Sequence, residues 1–299
     1  MARAARFSVP ERLVESVRAE GSPAALAWLA ELPALVARRL ADWDLVPERV
    51  VEPGGRGSVV LYAHRAGDLA PVAVKVSRSP GEAAALRAWA GRGAALLLAE
   101  ADGALLLERL HGEIPLRSLA EAQAMLEATS LLRRLWVPAP AGHGFPTLAE
   151  HARGLAERVT VRRALPLAAD AGPLLDEALE AVALAADAEG WLLHGEFQHG
   201  RVLAADRAPW LAVAPRPLVG DRAYDLAALV LERLDTLAAS PGPRGAARRR
   251  LARLAEAVEL PADRVRAWTL LRAADTALAA LAADDTAAAE LHLEFASWL

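Results

Sequence analysis

The 299-residue chain contains no cysteine. Disulfide scaffolds, thiol nucleophiles, iron–sulfur clusters and cysteine-type zinc sites are therefore excluded. Lysine is almost absent too: of 34 basic residues only Lys75 is a lysine. The surplus of Ala, Arg, Gly and Pro matches a GC-rich coding bias, a genomic cause rather than a functional one. Long apolar runs are also missing. Runs such as Ala94–Ala99 and Ala181–Ala186 fall far short of the ~20 residues that cross a bilayer. Met1-Ala-Arg-Ala-Ala-Arg-Phe7 lacks the apolar core of a signal peptide. A cytoplasmic protein without membrane association is expected. The net charge is only -4, so no global field recruits nucleic acid.

What remains is an ordinary globular composition, with 54% hydrophobic and 24% charged residues. The length suits two domains or lobes. Pro10–Arg18 and Pro23–Trp43 read as helices. The second spaces Leu26, Leu29, Leu32, Leu35, Val36, Leu40 and Trp43 along one face, and Pro33 is expected to interrupt it. From Leu45 the texture changes. Val50–Val51, Ser58–His64, Val72–Val76, Ala94–Leu98 and Ala104–Glu108 read as strands, with one helix over Pro80–Trp89. Beyond Leu116, helices are expected at Leu116–Trp136, Thr147–Leu165 and Asp170–Glu189. Three strand-like pieces follow: Trp191–His194, Arg201–Ala204 and Trp210–Val213. Four helices close the chain, at Asp221–Leu237, Arg244–Val258, Pro261–Ala283 and Thr286–Trp298.

The expected class is α+β. An N-terminal lobe over residues 1–110 holds a small antiparallel sheet. A short link spans Leu110–Pro115, and a mostly helical C-terminal lobe fills residues 111–299. Ligand sites favour the cleft between such lobes.

Several residues invite a chemical reading. Gly55, Gly57 and Ser58, in Gly54-Gly-Arg-Gly-Ser58, could bring backbone N–H groups to phosphate oxygens. An ordinary hairpin turn also accounts for them. Lys75 lies on the third strand. In kinase-type sites such a lysine reaches nucleotide phosphates and pairs with a helix glutamate; Glu82 is the first carboxylate on the next helix. The plainer alternative is a surface lysine. Its survival against an arginine bias favours function, because a solvated ammonium is replaced more freely than one that must reach a phosphate. Backbone groups from Glu108 to Leu110 could hold a purine edge, or the segment is a plain buried strand. His194 and His199 alone are too few for a zinc site, and no metal site is expected. Arg244, Arg248, Arg249, Arg250 and Arg253 read as a solvated helix face rather than a nucleic-acid patch. The eight tryptophans read mostly as core.

The segment Trp191-Leu-Leu-His194-Gly195-Glu196-Phe197-Gln198-His199-Gly200-Arg201-Val202-Leu203 is the most specific. With Val213-Ala214-Pro215 and Gly220-Asp221-Arg-Ala-Tyr224-Asp225 it resembles the aminoglycoside/hydroxyurea phosphotransferase family, in particular its streptomycin 6-kinase-like branch. The resemblance extends over the Ala27–Ala37 helix, Lys75, Leu86-Arg-Ala-Trp89, Leu105–Leu110 and Val137-Pro-Ala-Pro140. It implies a bilobal protein-kinase-like fold that transfers the ATP γ-phosphoryl group to a small-molecule hydroxyl.

This chain departs from the family pattern where the chemistry lies. The family loop reads His-Gly/Trp-Asp-Leu-His-x-x-Asn. Its aspartate accepts the substrate proton and its asparagine holds magnesium; here those places hold Glu196 and Arg201. The next family motif, Ile-Asp-Pro, supplies a second magnesium ligand; here it reads Val213-Ala214-Pro215. Glu196 keeps a carboxylate but adds a methylene, and a ~1 Å displacement of a catalytic group can cost about a hundredfold. Ala214 offers magnesium no side-chain oxygen. Arg201 offers only donors and a fixed positive charge.

The resemblance and its departures imply a kinase fold whose phosphotransfer is lost or severely impaired. Nucleotide or another anion remains a candidate cofactor, through Lys75, Glu82, Gly55, Gly57, Ser58, Glu108 and Arg201; magnesium is disfavoured. A small molecule in the cleft is the expected partner, with a protein partner as a further option. One alternative is a working O-phosphotransferase with Glu196 as base. Another is a repurposed enzyme with Glu196, His194 and His199 as acid/base groups. Asp221 is expected to brace the catalytic loop and cap the following helix. Glu150, His151, Asp225, Glu232 and Asp235 are the polar candidates for contacting a small-molecule acceptor.

Overall fold

The computed structural model describes residues 7–184 and 190–299. The leader reading of residues 1–6 and the end of the Asp170–Glu189 helix lie outside the described residues. The chain divides into two compact units. One runs to Gly112 and includes Ala204–Pro209; the other comprises Glu113–Leu203 and Trp210–Leu299.

The first unit opens with α1 (Glu11–Glu20) and α2 (Pro23–Asp42). Ser22 Oγ accepts the Ala25 N–H, and Pro23 occupies the first turn, where its missing N–H costs nothing. The helix α2 runs through Pro33 without the expected interruption. Burial of Leu32, Leu35 and Val36 on the core holds it together.

Five strands follow: β1 (Leu45–Val50), β2 (Ser58–Arg65), β3 (Pro71–Ser77), β4 (Leu97–Ala101) and β5 (Ala104–Glu108). They form one antiparallel sheet of order β1-β2-β3-β5-β4. Between β3 and β4 lies α3 (Glu82–Trp89). Val59, Leu61, Val74 and Val76 share a core with Leu13, Val17, Leu32 and Val36 of the two opening helices. Strand β4 starts three residues later than the sequence pattern suggests. The Asp102-Gly103 turn pairs Ala101 with Ala104 and so fixes the register from that end.

The second unit is mostly helical. Strand β6 (His111–Pro115) stands where a bare link was expected, in a sheet of order β10-β9-β6 with β9 (Val202–Ala204) and β10 (Trp210–Ala212). A second small sheet has the order β11-β8-β7, from β7 (Val137–Pro138), β8 (Trp191–Leu193) and β11 (Leu218–Gly220). The helices are α4 (Glu121–Leu135), α5 (Leu148–Arg162), α6 (Gly172–Leu184), α7 (Ala223–Val230), α8 (Leu234–Ala238), α9 (Pro243–Ala257), α10 (Ala262–Leu281) and α11 (Thr286–Trp298). Helix α10 is the central post. It packs on α5, α6, α7, α9 and α11, and Trp268, Leu271 and Leu278 are fully buried. Each such leucine contributes about 1.5–3 kcal/mol.

Three expectations need correction. The single helix over Asp221–Leu237 is two, α7 and α8, broken where Arg233 adopts φ 53°. The Arg244–Arg253 row is not wholly solvated. Arg250 is buried, donating to the Val230 and Glu232 carbonyls and pairing with Glu121 at 2.6 Å. Of the tryptophans, Trp89, Trp136, Trp268 and Trp298 are buried, whereas Trp28, Trp43, Trp191 and Trp210 are half-buried. Among the described residues no helix is long and apolar enough to cross a membrane.

Candidate functional site

Two groups of the singled-out residues come together, one in each unit. In the first, Lys75 projects from β3 and Glu82 from the first turn of α3. Lys75 Nζ donates to both carboxylate oxygens of Glu82, at 2.5 and 2.7 Å. Both side chains are buried, 8% and 2% exposed. The surface-lysine alternative is thereby removed. A charge pair taken out of water persists only with close, well-directed contacts; this one has two.

Gly55, Gly57 and Ser58 lie in the connection between β1 and β2, with Ser58 opening β2 opposite Ser77. A side chain at Gly57 would meet nothing within 4 Å, so that stretch of backbone is open to an approaching group. Glu108 is committed elsewhere. Its N–H donates to the Leu96 carbonyl, and its carboxylate accepts from the Leu96 N–H and pairs with Arg207 at 2.7 Å. It braces the sheet edge rather than presenting a free polar group.

In the second unit, β8 delivers the chain into the loop at His194. Gly195 adopts φ 78°, and a Cβ there would collide with the Arg216 carbonyl oxygen. Only glycine fits. Asp225, fully buried at the start of α7, fixes this turn. It accepts the His194 N–H at 2.8 Å, the Gly195 N–H at 2.7 Å and the Trp136 indole N–H at 3.3 Å. Burial pushes its carboxyl above the ordinary range, against the pull of these donors. The expected brace, Asp221, does other work. It accepts from the Ala223 N–H at the start of α7, from Trp268 Nε1 at 2.7 Å and from Arg264 Nε at 2.5 Å. Asp221 thus sits at the helix start, but the loop brace is Asp225, four residues on. Asp225 is correspondingly not available as a substrate contact.

The other acceptor candidates are also largely occupied. Glu150 forms a capping box with Thr147. His151 Nε2 lies 2.8 Å from the Tyr224 hydroxyl. Glu232 accepts the His199 N–H at 2.7 Å. Asp235 is exposed in the first turn of α8.

His194 and His199 are both fully buried. His194 Nε2 lies 3.1 Å from the Val213 carbonyl oxygen, and its ring packs edge-on against Phe197. Among the described residues the ring nitrogens of His199 have no hydrogen-bond partner, with Glu232 Oε2 standing 3.7 Å from Nδ1, and burial lowers its pKa to about 4. Both rings serve as packed supports of the loop.

Glu196 is half-buried. Arg201 pairs with its Oε2 and Arg216 with its Oε1, the latter at 2.7 Å. Arg201 Nη1 also donates to the Ala214 carbonyl oxygen at 2.7 Å. Ala214 itself lies in the left-handed region at φ 55°. Thus all three positions that differ from the family pattern meet in one cluster, joined by Arg201.

This donor set does not suit magnesium, which needs oxygen ligands in octahedral array. The Ala214 side chain offers no oxygen, its carbonyl holds a guanidinium, and both Glu196 oxygens are paired with arginines. The whole chain contains no asparagine. Among the described residues no cluster of three or more His, Asp or Glu is placed to hold a metal.

Comparison with known proteins fits this geometry into a family. A model described as aminoglycoside/hydroxyurea antibiotic resistance kinase matches residues 42–285. The streptomycin 6-kinase of Streptomyces griseus is 35% identical, over 91% of this chain and 90% of its own length. The hydroxyurea phosphotransferase of Kitasatospora aureofaciens is 37% identical, over 90% of this chain and 79% of its own. Among solved structures, choline kinase LicA from Streptococcus pneumoniae superposes with a TM-score of 0.59 at 10% identity, covering 90% of this chain and all of that one. Aminoglycoside phosphotransferase APH(4)-Ia, in a complex with ADP and hygromycin B, gives 0.54 at 16%, covering 87% and 96%. These two establish the kinase-like fold alone. With the family match across most of its length, the chain belongs to the aminoglycoside/hydroxyurea antibiotic resistance kinases.

Proposed function

We propose that this chain is a family member whose ATP-dependent phosphotransfer is lost or severely impaired, while its first unit keeps the capacity to bind a nucleotide. The observation that carries the reading is the double engagement of Glu196 by Arg201 and Arg216. A general base must take a proton onto a carboxylate oxygen. Here each oxygen already holds a guanidinium, and charge-assisted contacts of this kind are the strong ones. Freeing one oxygen also leaves no metal at hand, because Arg201 and Ala214 stand where the family has its ligands. Without such electrostatic help, charge building on a transferring phosphoryl group loses its main stabiliser.

The Lys75–Glu82 pair supports retained nucleotide binding. It fixes an ammonium on β3 in the way that a phosphate-contacting lysine is fixed. If nucleotide binds, Lys75 and the open backbone at Gly57 would meet its phosphates. The acceptor, where one exists, is a hydroxylated small molecule of the kind its relatives are named for, streptomycin or hydroxyurea.

The decisive experiment measures ATP turnover with magnesium against streptomycin and hydroxyurea, alongside calorimetry of ATP binding. The expected result is ATP binding that magnesium does not tighten, with no sustained turnover. Robust turnover that Glu196→Ala abolishes would establish the working-enzyme alternative instead.

A further inference from the structure

We propose that a cavity in the second unit, distinct from the Glu196 cluster, binds a small amphipathic anion: an apolar body bearing one carboxylate or phosphate head. The cavity has a volume of about 610 Å³ and lies among α4, α8 and α9. That is within the roughly 300–1,000 Å³ typical of small-molecule sites. Its walls are mainly apolar, with Leu237 and Leu254 buried beneath and Leu126 at the rim. Leu126 is 67% exposed, a large apolar side chain left facing water beside a hollow that an apolar body would fill.

The charged groups of the cavity are mostly cationic, beside the hydroxyls of Thr129, Thr236 and Ser240. Its arginines are Arg249, Arg250 and Arg253, against a single carboxylate, Glu121. Glu121 is already paired with Arg250 at 2.6 Å, and Arg250 also donates to the Val230 and Glu232 carbonyls. Arg250 is therefore a structural wall. Arg249 and Arg253 are different. They stand one helical turn apart on α9, are exposed, and form no salt bridge among the described residues. Two guanidiniums at (i, i+4) spacing lie close enough to share one anionic head, and their planar forks suit carboxylate or phosphate oxygens. The polar groups of Thr129 and Ser240 are satisfied by nearby carbonyls, Met125 and Leu237 respectively. They do not compete for the head group, which leaves the arginines to select charge and the leucines to select an apolar body.

Titration calorimetry on the full chain tests the assignment with octanoate, octyl phosphate and octanol as probes. Octanoate or octyl phosphate should bind, and whichever binds more tightly identifies the head group. Octanol and acetate should each bind about tenfold more weakly or worse, since each lacks one half of the recognition. The exposed pair Arg249→Gln/Arg253→Gln should weaken the anionic probe by about tenfold without moving the melting temperature. Ala122→Trp, at an exposed position lining the same hollow, should block binding by filling it. Octanol binding as well as octanoate, or octanoate binding unchanged in both variants, would overturn the proposal. So would silence of both anionic amphiphiles alongside binding of an acidic, leucine-rich peptide.

Discussion

Lys75 with Glu82, and Glu196 with Arg201 and Arg216, are both ion pairs at positions singled out by the family pattern, yet they differ in kind. The first is dry: its two members are 8% and 2% exposed, and both carboxylate oxygens are held by one ammonium. The second is half in water: Arg201 and Glu196 are 25% and 27% exposed and Arg216 is 68% exposed. A buried pair is held in place by desolvation, because losing either partner strands a charge. A half-exposed pair is held weakly, since water replaces what a mutation removes. The lysine pair thus resists change on stability grounds alone, whereas a substitution in the Glu196 cluster costs the fold little.

The largest expected effect tests the buried half of that contrast. Lys75→Met should lower the unfolding free energy by about 3–5 kcal/mol, read by denaturant titration, because Glu82 is left charged and unpaired. Lys75→Met/Glu82→Leu should recover most of that loss. If Lys75→Met proves neutral, the pair is not dry and the contrast fails.

Next comes the chemistry. Restoring the family pattern with Glu196→Asp, Arg201→Asn and Ala214→Asp together should raise magnesium-dependent ATP turnover by about a hundredfold or more over the native chain. No gain in a folded triple variant would overturn the assignment of the proposed impairment to these three positions.

His199 offers a third measure, in pH. Its pKa falls to about 4 in the fold from the ordinary 6.5, so the unfolded chain takes up the proton first as pH drops. Stability should therefore decline on acidification from about 6.5 toward 4, by about 2 kcal/mol on reaching pH 5. Asp225 and Glu232, whose carboxyls burial pushes upward, act with the opposite sign. Comparing the pH slopes of the native chain and His199→Gln isolates the histidine. Identical slopes would mean that its ring is not held neutral.

The smallest effect belongs to the wet pair. Arg216→Ala should change stability by less than about 1 kcal/mol, measured as a shift in denaturation midpoint. A loss several times larger would erase the distinction between the two clusters.

Strands β2, β3 and β5 and most helices were legible, the helices because their burial is periodic, as with Leu32, Leu35 and Val36 on α2, whereas the Val50–Val51 and Ala94–Leu98 readings overlap β1 and β4 only at one end. The Asp102-Gly103 turn also announced itself, although it set the β4 register from the far end. The short strands β6, β7 and β11 are not legible in the sequence, because pairing with distant strands rather than a local pattern defines them. The split at Arg233 escaped too, because a single left-handed residue leaves no compositional mark.

In the candidate site, residue types pointed to Lys75, Glu82, Glu196 and Arg201, since those types break or keep a recognisable pattern. The sequence by itself determined the family, the two-part α+β organisation and the three departures at Glu196, Arg201 and Ala214. Only the tertiary structure decided their meaning. It gave the loop brace to Asp225 rather than Asp221, buried Arg250 within a helix that reads as solvated, and brought Arg216 onto Glu196. Each of those outcomes depends on which distant backbone groups a side chain can reach. Reach is fixed by packing between elements far apart in the chain, which no local pattern of residues encodes.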